Sequence, residues 1–482
     1  MSLMDSIESR NKEHKFIINK VFNTQSPITE RTVLIADAFG LGIDETQNFE
    51  IYNNLEFGFD DGDIVYVTGD SGSGKTILLN EVKSKLNADD FIDYDELNID
   101  SDEILVESVG NDLNEAIKTL SMVGLNDAFL FLRKYKQLSD GQKRRYKIAK
   151  LIDSGRNIWV FDEFLATLDR DMAKIISFNL QKVARRMNKT LIIATTHTDL
   201  EKDLQPNVLV YKKYNNDVDI KYNDEIVKRK CSITEDGDLK VEKGTKIDYE
   251  KLHKFHYRSS NLGAVKDYYK LTLNKNLIGV IVITYPFIQL RGRNAIWNDF
   301  KISNTENTNR LNKEFECISR VIIHPKYRSI GLAYHFLGEY FKMSTSKIIE
   351  VVAVMPKYNP FFEKAGMTRV DTEDNDMRYQ RNIKRLDELG FNTDMVHSIT
   401  YCESHYNTLS SEHKELFKNV MIDMVKRYNG VKGGNLKIDN LEFTDTKFRQ
   451  NFSKLFKSDL LYLYRINENY TEKKINTLSA FF

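Results

Sequence analysis

The sequence predicts an α/β chain of several domains, and three observations carry that prediction. An apolar run ending at Thr68 meets the glycine-rich turn 69–76 and then the amphipathic ILLNEVKSKL. A second strand, turn and helix lie in ECISRVIIHPKYRSIGLAYHFLGEYF, residues 316–341. From residue 386 onward the apolar residues fall mainly at helical spacing. The expected layout is an α/β domain over 1–215, a linker or hairpin over 216–250, an α+β domain over 251–385 and a small helical region over 386–482.

Length and composition agree with this division. A chain of 482 residues with 41% apolar content can build about three cores. Its 70 basic and 70 acidic residues balance, which excludes a polybasic nucleic-acid binder or an acidic tail as the whole molecule. No window of 18 or more apolar residues occurs and residues 1–20 are charged, so a cytoplasmic protein without a membrane span is expected. Cys231, Cys317 and Cys402 are odd in number and far apart, which fits buried thiols in a reducing compartment.

In chain order, FIINKVF (16–22) reads as a strand and ERTVLIADAFGLG (30–42) as a helix stopped by glycine. Phe49 and Tyr52 follow, each open to either core packing or stacking on a base. The turn is Gly69-Asp70-Ser71-Gly72-Ser73-Gly74-Lys75-Thr76. Without a Cβ at its three glycines the backbone can curl, so that successive N–H groups point at a phosphate on the helix N-terminus. This octapeptide resembles a Walker A phosphate loop. The resemblance implies ATP as ligand, with Lys75 reaching the β/γ-phosphates and Thr76 holding Mg²⁺.

QLSDGQKRRYKIAKLI (137–152) and RNIWVFDEFLATLD (156–169) follow, then the apolar run TLIIATTH (190–197). In this order they are similar to the LSGGQ signature, Walker B strand, D-loop and switch histidine of ATP-binding-cassette (ABC) ATPases. The resemblance implies that Asp162 holds the Mg²⁺ shell, Glu163 polarises the attacking water and His197 meets the γ-phosphate. It also implies a homodimer in which two ATP molecules are sandwiched between Lys75 of one copy and Ser139, Gly141 and Gln142 of the other, with Asp169 at the seam. Three departures stand out. Asp140 replaces a glycine of the signature, Phe164 replaces the proline after the catalytic glutamate, and no glutamine lies between Thr76 and Lys136, which leaves Glu107 or Asn111 to replace the usual Q-loop ligand. The short span from Lys75 to Ser139 and the absence of an apolar span disfavour a transporter subunit.

Beyond the polar stretch after VLVYKK, the run 268–286 reads as a hairpin around Asn-Lys-Asn. The turn Arg328-Ser329-Ile330-Gly331-Leu332-Ala333, the strand before it and KIIEVVAVMPKYNPFFEKAGMTRV (347–370) resemble motif A and the following strand and turn of GCN5-related N-acetyltransferases (GNATs). The implied function is binding of acetyl-CoA or another acyl-CoA, with amides of 328–333 around its pyrophosphate and transfer of the acyl group to an amine. Phe362 stands where that family often has a proton-donating tyrosine, leaving Tyr358 as acid candidate and Glu316 as base candidate.

The combined layout, including Phe255-His256-Tyr257-Arg258, looks like a prokaryotic and phage family of ABC-type ATPases fused to an acetyltransferase domain. The His-Tyr-Arg element is also similar to Mom-type DNA-modifying proteins. That likeness makes His256, Tyr257 and Arg258 substrate candidates and a nucleobase in DNA one conceivable macromolecular acceptor. The alternative is a nucleotide-switched binding protein with an inactive GNAT-like domain. In the last region Lys447, Arg449, Lys454 and Lys457 form either a solvated helix face or a basic face toward nucleic acid.

Overall fold

The structure is a computed structural model describing residues 12–24, 27–42, 47–166, 168–214, 217–223, 230–256, 262–301, 304–354, 359–372, 376–432, 443, 446–456 and 460–467. Strands β1 (His14–Thr24) and β2 (Gln47–Phe59) form an antiparallel ribbon, connected through helix α1 (Glu30–Phe39), which Gly40 ends in the left-handed conformation. Beside the ribbon lies a six-stranded sheet: β3 (Ile64–Gly69), β4 (Phe91–Asp93), β5 (Ile158–Phe161), β6 (Thr190–Ala194), β7 (Val208–Lys212) and β8 (Val218–Tyr222). Its order is β4-β5-β6-β3-β7-β8, and all neighbours are parallel except β7 and β8.

The sequence dictates this arrangement. IVYVTG, IWVF and TLIIA are apolar runs without alternation, and every residue in them is buried, as parallel strands covered on both faces must be. Parallel pairing then brings the carboxyl ends of β3, β5 and β6 to one edge, where ligand-binding turns of open α/β sheets gather. Helix α2 (Lys75–Lys85) follows β3, and α3 (Leu113–Met122) and α4 (Asp140–Asp153) pack together before β5. Helix α5 (Arg170–Met187) leads from β5 to β6.

The stretch read as a linker contributes to both halves: β8 edges the first sheet, and β9 (Leu239–Lys243) edges a second. That second sheet adds β10 (Val265–Leu273), β11 (Asn276–Thr284), β12 (Phe315–Ile323), β13 (Ile348–Ala353), β14 (Thr368–Val370) and β15 (Leu461–Ile466), in the order β14-β15-β13-β12-β11-β10-β9. Only β12 and β13 are parallel. Their pairing runs from Phe315 opposite Ile348 to Ile318 opposite Val351 and stops, while β12 continues to Ile323 against β11. The two strands therefore part at their carboxyl ends. Helix α6 (Leu332–Met343) covers this sheet, burying Phe336, Leu337 and Tyr340.

The two halves share apolar surface. Ile175 and Phe178, on α5 of the first half, are buried in the core that holds Ile281, Ile318, Leu332 and Phe336 of the second. Each such side chain stabilises the contact by about 1.5–3 kcal/mol. After β14 come α7 (Met377–Glu388), α8 (Ile399–Thr408) and α9 (Ser411–Lys432), which enclose their own core around Leu386, Phe417 and Met421. One expectation is corrected here. LLYLY, read with the last helical run, is strand β15, inserted between β13 and β14. Leu463 and Tyr464 are buried there, and aromatic and branched residues suit a pleated, half-covered surface better than their helical spacing suggested.

Candidate functional site

The first turn is shaped by its glycines. Gly69, Gly72 and Gly74 all have positive φ, and a Cβ on Gly69 would collide with the Lys212 carbonyl oxygen. Lys75 begins α2 and donates its ammonium to the carbonyls of Gly69 (3.0 Å) and Asp70. Burial lowers its pKa, although the charges of Asp70, Asp162 and Glu163 oppose that shift. Tyr52 is buried beneath the loop, donating its hydroxyl to the Gly74 carbonyl at 3.0 Å, so it supports the turn and is not open to stack on a base. Phe49 is exposed on β2.

Two further strands deliver acidic and basic groups to the same edge. Thr76 Oγ1 donates to Asp162 Oδ1 at 3.2 Å, and Glu163 follows, exposed and with positive φ. Phe164, in place of proline, is buried edge-on against Phe161. His197 lies past β6. Its Nδ1 contacts the Arg170 guanidinium, and its carbonyl accepts from Thr68 Oγ1 at 3.1 Å.

Among the described residues no hydrogen bond joins Glu107 or Asn111, the two replacements expected for the missing glutamine, to Asp162. Asn111 is bound to Glu115 and Glu107 closes a short 3₁₀ turn, whereas Asp95, just past β4, accepts the Asp162 backbone N–H at 3.3 Å. Burial, then the neighbouring charges of Asp93 and Asp162, raise the Asp95 pKa against its hydrogen bond from Asp162 and the nearby Lys147. No local signal in the sequence marks it; the pairing of the short FID strand with IWVF brings it there.

The signature segment starts α4. Ser139 is the N-cap and exposed, and the Gln142 side chain folds back to accept the Ser139 N–H at 3.0 Å. Asp140 also points to solvent, while Gly141 packs near Met172. Asp169 caps α5 through the Met172 N–H at 3.1 Å.

The comparisons agree with this geometry over one part of the molecule. The cytochrome c biogenesis ATP-binding export protein CcmA of Reclinomonas americana is 29% identical over 178 residues, covering 31% of this chain and 79% of that protein. The CcmA protein of Gluconobacter oxydans is 29% identical over 169 residues, covering 32% and 77%. About a third of the chain is an ABC-type ATPase domain. The solved structure of CbiO1 from Clostridium perfringens, described as part of the ABC transporter complex cbiONQ, matches 34% of this chain and 78% of that one at 18% identity and a TM-score of 0.29. No family model matches the chain. Among the described residues no helix is long and apolar enough to cross a membrane.

The second turn lies directly against the ATPase domain. Arg145, on α4 and buried, donates to the carbonyls of Gly124 (3.3 Å), Pro325 (3.3 Å) and Lys326 (3.1 Å). Lys326 Nζ in turn reaches Asp169 Oδ1 at 2.8 Å and Asp171 Oδ2 at 3.1 Å. Burial opposes ionisation at Asp169, but the Lys326 hydrogen bond holds its carboxyl below the usual range. Gly124 makes the approach possible, since a Cβ there would collide with Ser329 Oγ. Lys182, on α5, donates to the Ser329 carbonyl at 3.0 Å.

Ser329 and Gly331 both have positive φ, and Gly331 is the N-cap of α6, leaving the first amides of that helix without helical partners. Arg328 is directed elsewhere. Its guanidinium donates to the carbonyls of Ile323 (3.0 Å) and Phe255 (3.1 Å) and lies 3.7 Å from Asp127. Between the parting strands, this turn and helices α3 and α5 lies a cavity of about 700 Å³, whose wall includes His256, Gly331, Leu332, Ala333, Phe361 and Phe362.

Glu316 is not placed to act as a base. Its buried carboxylate accepts from Tyr340 (2.5 Å), Ser344, Ser346 (3.0 Å) and Lys266 (3.2 Å), at the closed end of β12 and off the cavity wall. Burial raises its pKa, but these donors, Ser344 and Tyr340 first, outweigh that and hold it below the usual range. Tyr358, Tyr257, Arg258 and Lys457 lie outside the described residues, as does the side chain of Lys447. Of the remaining basic residues near the end, Arg449 pairs with Glu403 at 2.9 Å and Lys454 donates to Asn451 at 2.8 Å.

Proposed function

We propose that the chain is an ATP hydrolase that closes as a head-to-tail homodimer and thereby controls a CoA-thioester site in its second domain. The carrying observation is the contact of Asp169 and Asp171 with Lys326, three residues before Ser329. The segments that would face a second copy, the start of α4 and the start of α5, are the ones whose Arg145 and Asp169 hold the backbone and side chain of the loop before the second turn. A shift of either on dimer closure would load that loop.

At the first site, the N–H groups of 69–76 and Lys75 hold the triphosphate, and Glu163 orients a water for attack on the terminal phosphate. The paired oxygens of Thr76 and Asp162 fit a Mg²⁺ donor set, and the ion would neutralise charge on the phosphates. His197, held by Arg170, faces the same edge of the sheet. At the second site, the parting of β12 and β13 leaves strand amides for an acyl-pantetheine, and the start of α6 presents amides to its phosphates. Transfer to a macromolecular amine, a nucleobase among the candidates, would engage His256 at the cavity wall.

A second reading is favoured by Glu316 and Phe362. One has its carboxylate committed to four donors, and the other cannot donate a proton. On that reading the second domain binds the thioester as a signal without transferring its acyl group. Replacing Glu163 with Gln tests the first part: with saturating ATP the variant is expected to accumulate as a dimer by light scattering, and a persistent monomer overturns the sandwich. Mass spectrometry of purified DNA, RNA and protein incubated with the chain and ¹³C-acetyl-CoA separates transfer from binding alone.

A further inference from the structure

We propose that the cavity between the domains is a composite site for a CoA-type carrier, in which Lys118, Lys182 and Arg186 of the ATPase domain hold the carrier's phosphates. This rests on the reading of the second domain as a CoA-thioester site and assigns part of that site to the other domain.

The charge on the wall points the same way from several residues. Lys118, Lys182, Arg186 and Lys364 line the cavity, and among the described residues none of the four is engaged in an ion pair with a carboxylate. Asp127 lies on the same wall but is directed to Arg328 at 3.7 Å. Burial first, then the like charges of Lys364 and Arg186, lower the pKa of Lys182. All four side chains are exposed, so solvent screens their mutual repulsion, and an anion in the cavity would meet positive charge from both domains.

Polar residues also contribute to the same wall: Ser121, Asn126 and Ser329. Ser121 Oγ, Asn126 Oδ1 and Ser329 Oγ are buried and, among the described residues, have no hydrogen-bond partner. Apolar lining from Val321, Leu332, Val351, Phe361 and Phe362 supplies the complementary stretch for a pantetheine chain. The second turn also lacks what Lys75 gives the first. Arg328 is turned to two carbonyls and Asp127, so the cations nearest the α6 amides include those of α5.

Calorimetry on the full chain tests this, with CoA and phosphate-free pantetheine as probes. The double variant Lys182→Gln/Arg186→Gln is expected to bind CoA at least about tenfold more weakly, with a shallower salt dependence, while its affinity for pantetheine is unchanged. Lys118→Gln, on a different helix, should give a smaller loss in the same direction, which a folding defect confined to α5 would not. CoA affinity within about twofold of wild type in the double variant overturns the composite site and leaves the second-domain reading standing. If wild type binds no CoA at all, both fall together.

Discussion

The chain contains two strand–glycine-turn–helix units, and they solve the same problem differently. In 69–76 the cation is part of the turn, and the acidic groups arrive past β5 at the same sheet edge, so one domain supplies both. In 328–333 the turn's own arginine is tied to Ile323, Phe255 and Asp127, the adjacent strands part, and three of the cations on the cavity wall, Lys118, Lys182 and Arg186, belong to another domain. A turn of this shape supplies amides, and the surroundings decide what it binds. The first turn draws its cation and acids from its own domain; the second depends on how the two domains are held.

That contrast can be broken or sharpened by four changes. The largest effect is expected at the first turn's catalytic edge, where Glu163→Gln should lower kcat for ATP by about 10²–10⁴-fold with little change in CoA affinity, as steady-state phosphate release and calorimetry would show. A variant that keeps full turnover removes Glu163 from its role. Next is Lys326→Ala, which should leave ATP hydrolysis near wild type yet reduce the ATP-induced change in CoA affinity by roughly 5- to 150-fold, the range of ordinary coupling energies. Unchanged coupling would show that the apolar contact through Ile175 and Phe178 carries the signal.

Glu316→Gln follows. It is expected to destabilise the fold by about 1.5–3 kcal/mol in urea unfolding, because four donors lose a charged acceptor, without removing a base. An acyl-transfer defect in a variant of wild-type stability would contradict that assignment.

The smallest effect concerns pH. Asp169 is held below its usual 3.8 and Lys326, through hydrogen bonds it donates to Asp169 and Asp171 that outweigh burial, above its usual 10.5. The contribution of Asp169 is full above the ordinary carboxylate pKa and is lost as pH falls through its lower folded value. That of Lys326 is full below the ordinary ammonium pKa and is lost as pH rises through its higher folded value. Coupling should therefore be flat from about pH 5 to 9 and weaken only in stronger acid or base, as CoA titrations across that range would show.

The two turns also differ in how far they could be read in advance. Residues 69–76, 162–163 and 197 could be placed at one sheet edge because short apolar strands bounded by glycines or acids have a local signature, and parallel pairing converts order along the chain into proximity, whereas 139–142 were read from resemblance alone. Asp95 escaped notice because nothing local separates it from the acidic stretch around it; only the pairing of β4 with β5 places it beside Asp162. Arg145, Lys182 and Lys326 look like ordinary surface charges in sequence, and their roles come from contacts between residues more than 140 positions apart. Strand β15 was hidden for the same reason. Its register is set by β13 and β14, both far upstream.

The central claim is that the state of the first turn is felt at the second. It is tested most directly by measuring CoA affinity of the full-length Glu163→Gln chain with saturating Mg·ATP and again with Mg·ADP. The account predicts a difference of at least about fivefold that disappears in the Glu163→Gln/Lys326→Ala double variant. Equal CoA affinities in the two nucleotide states, with the ATP-bound dimer verified in the same sample, would contradict it.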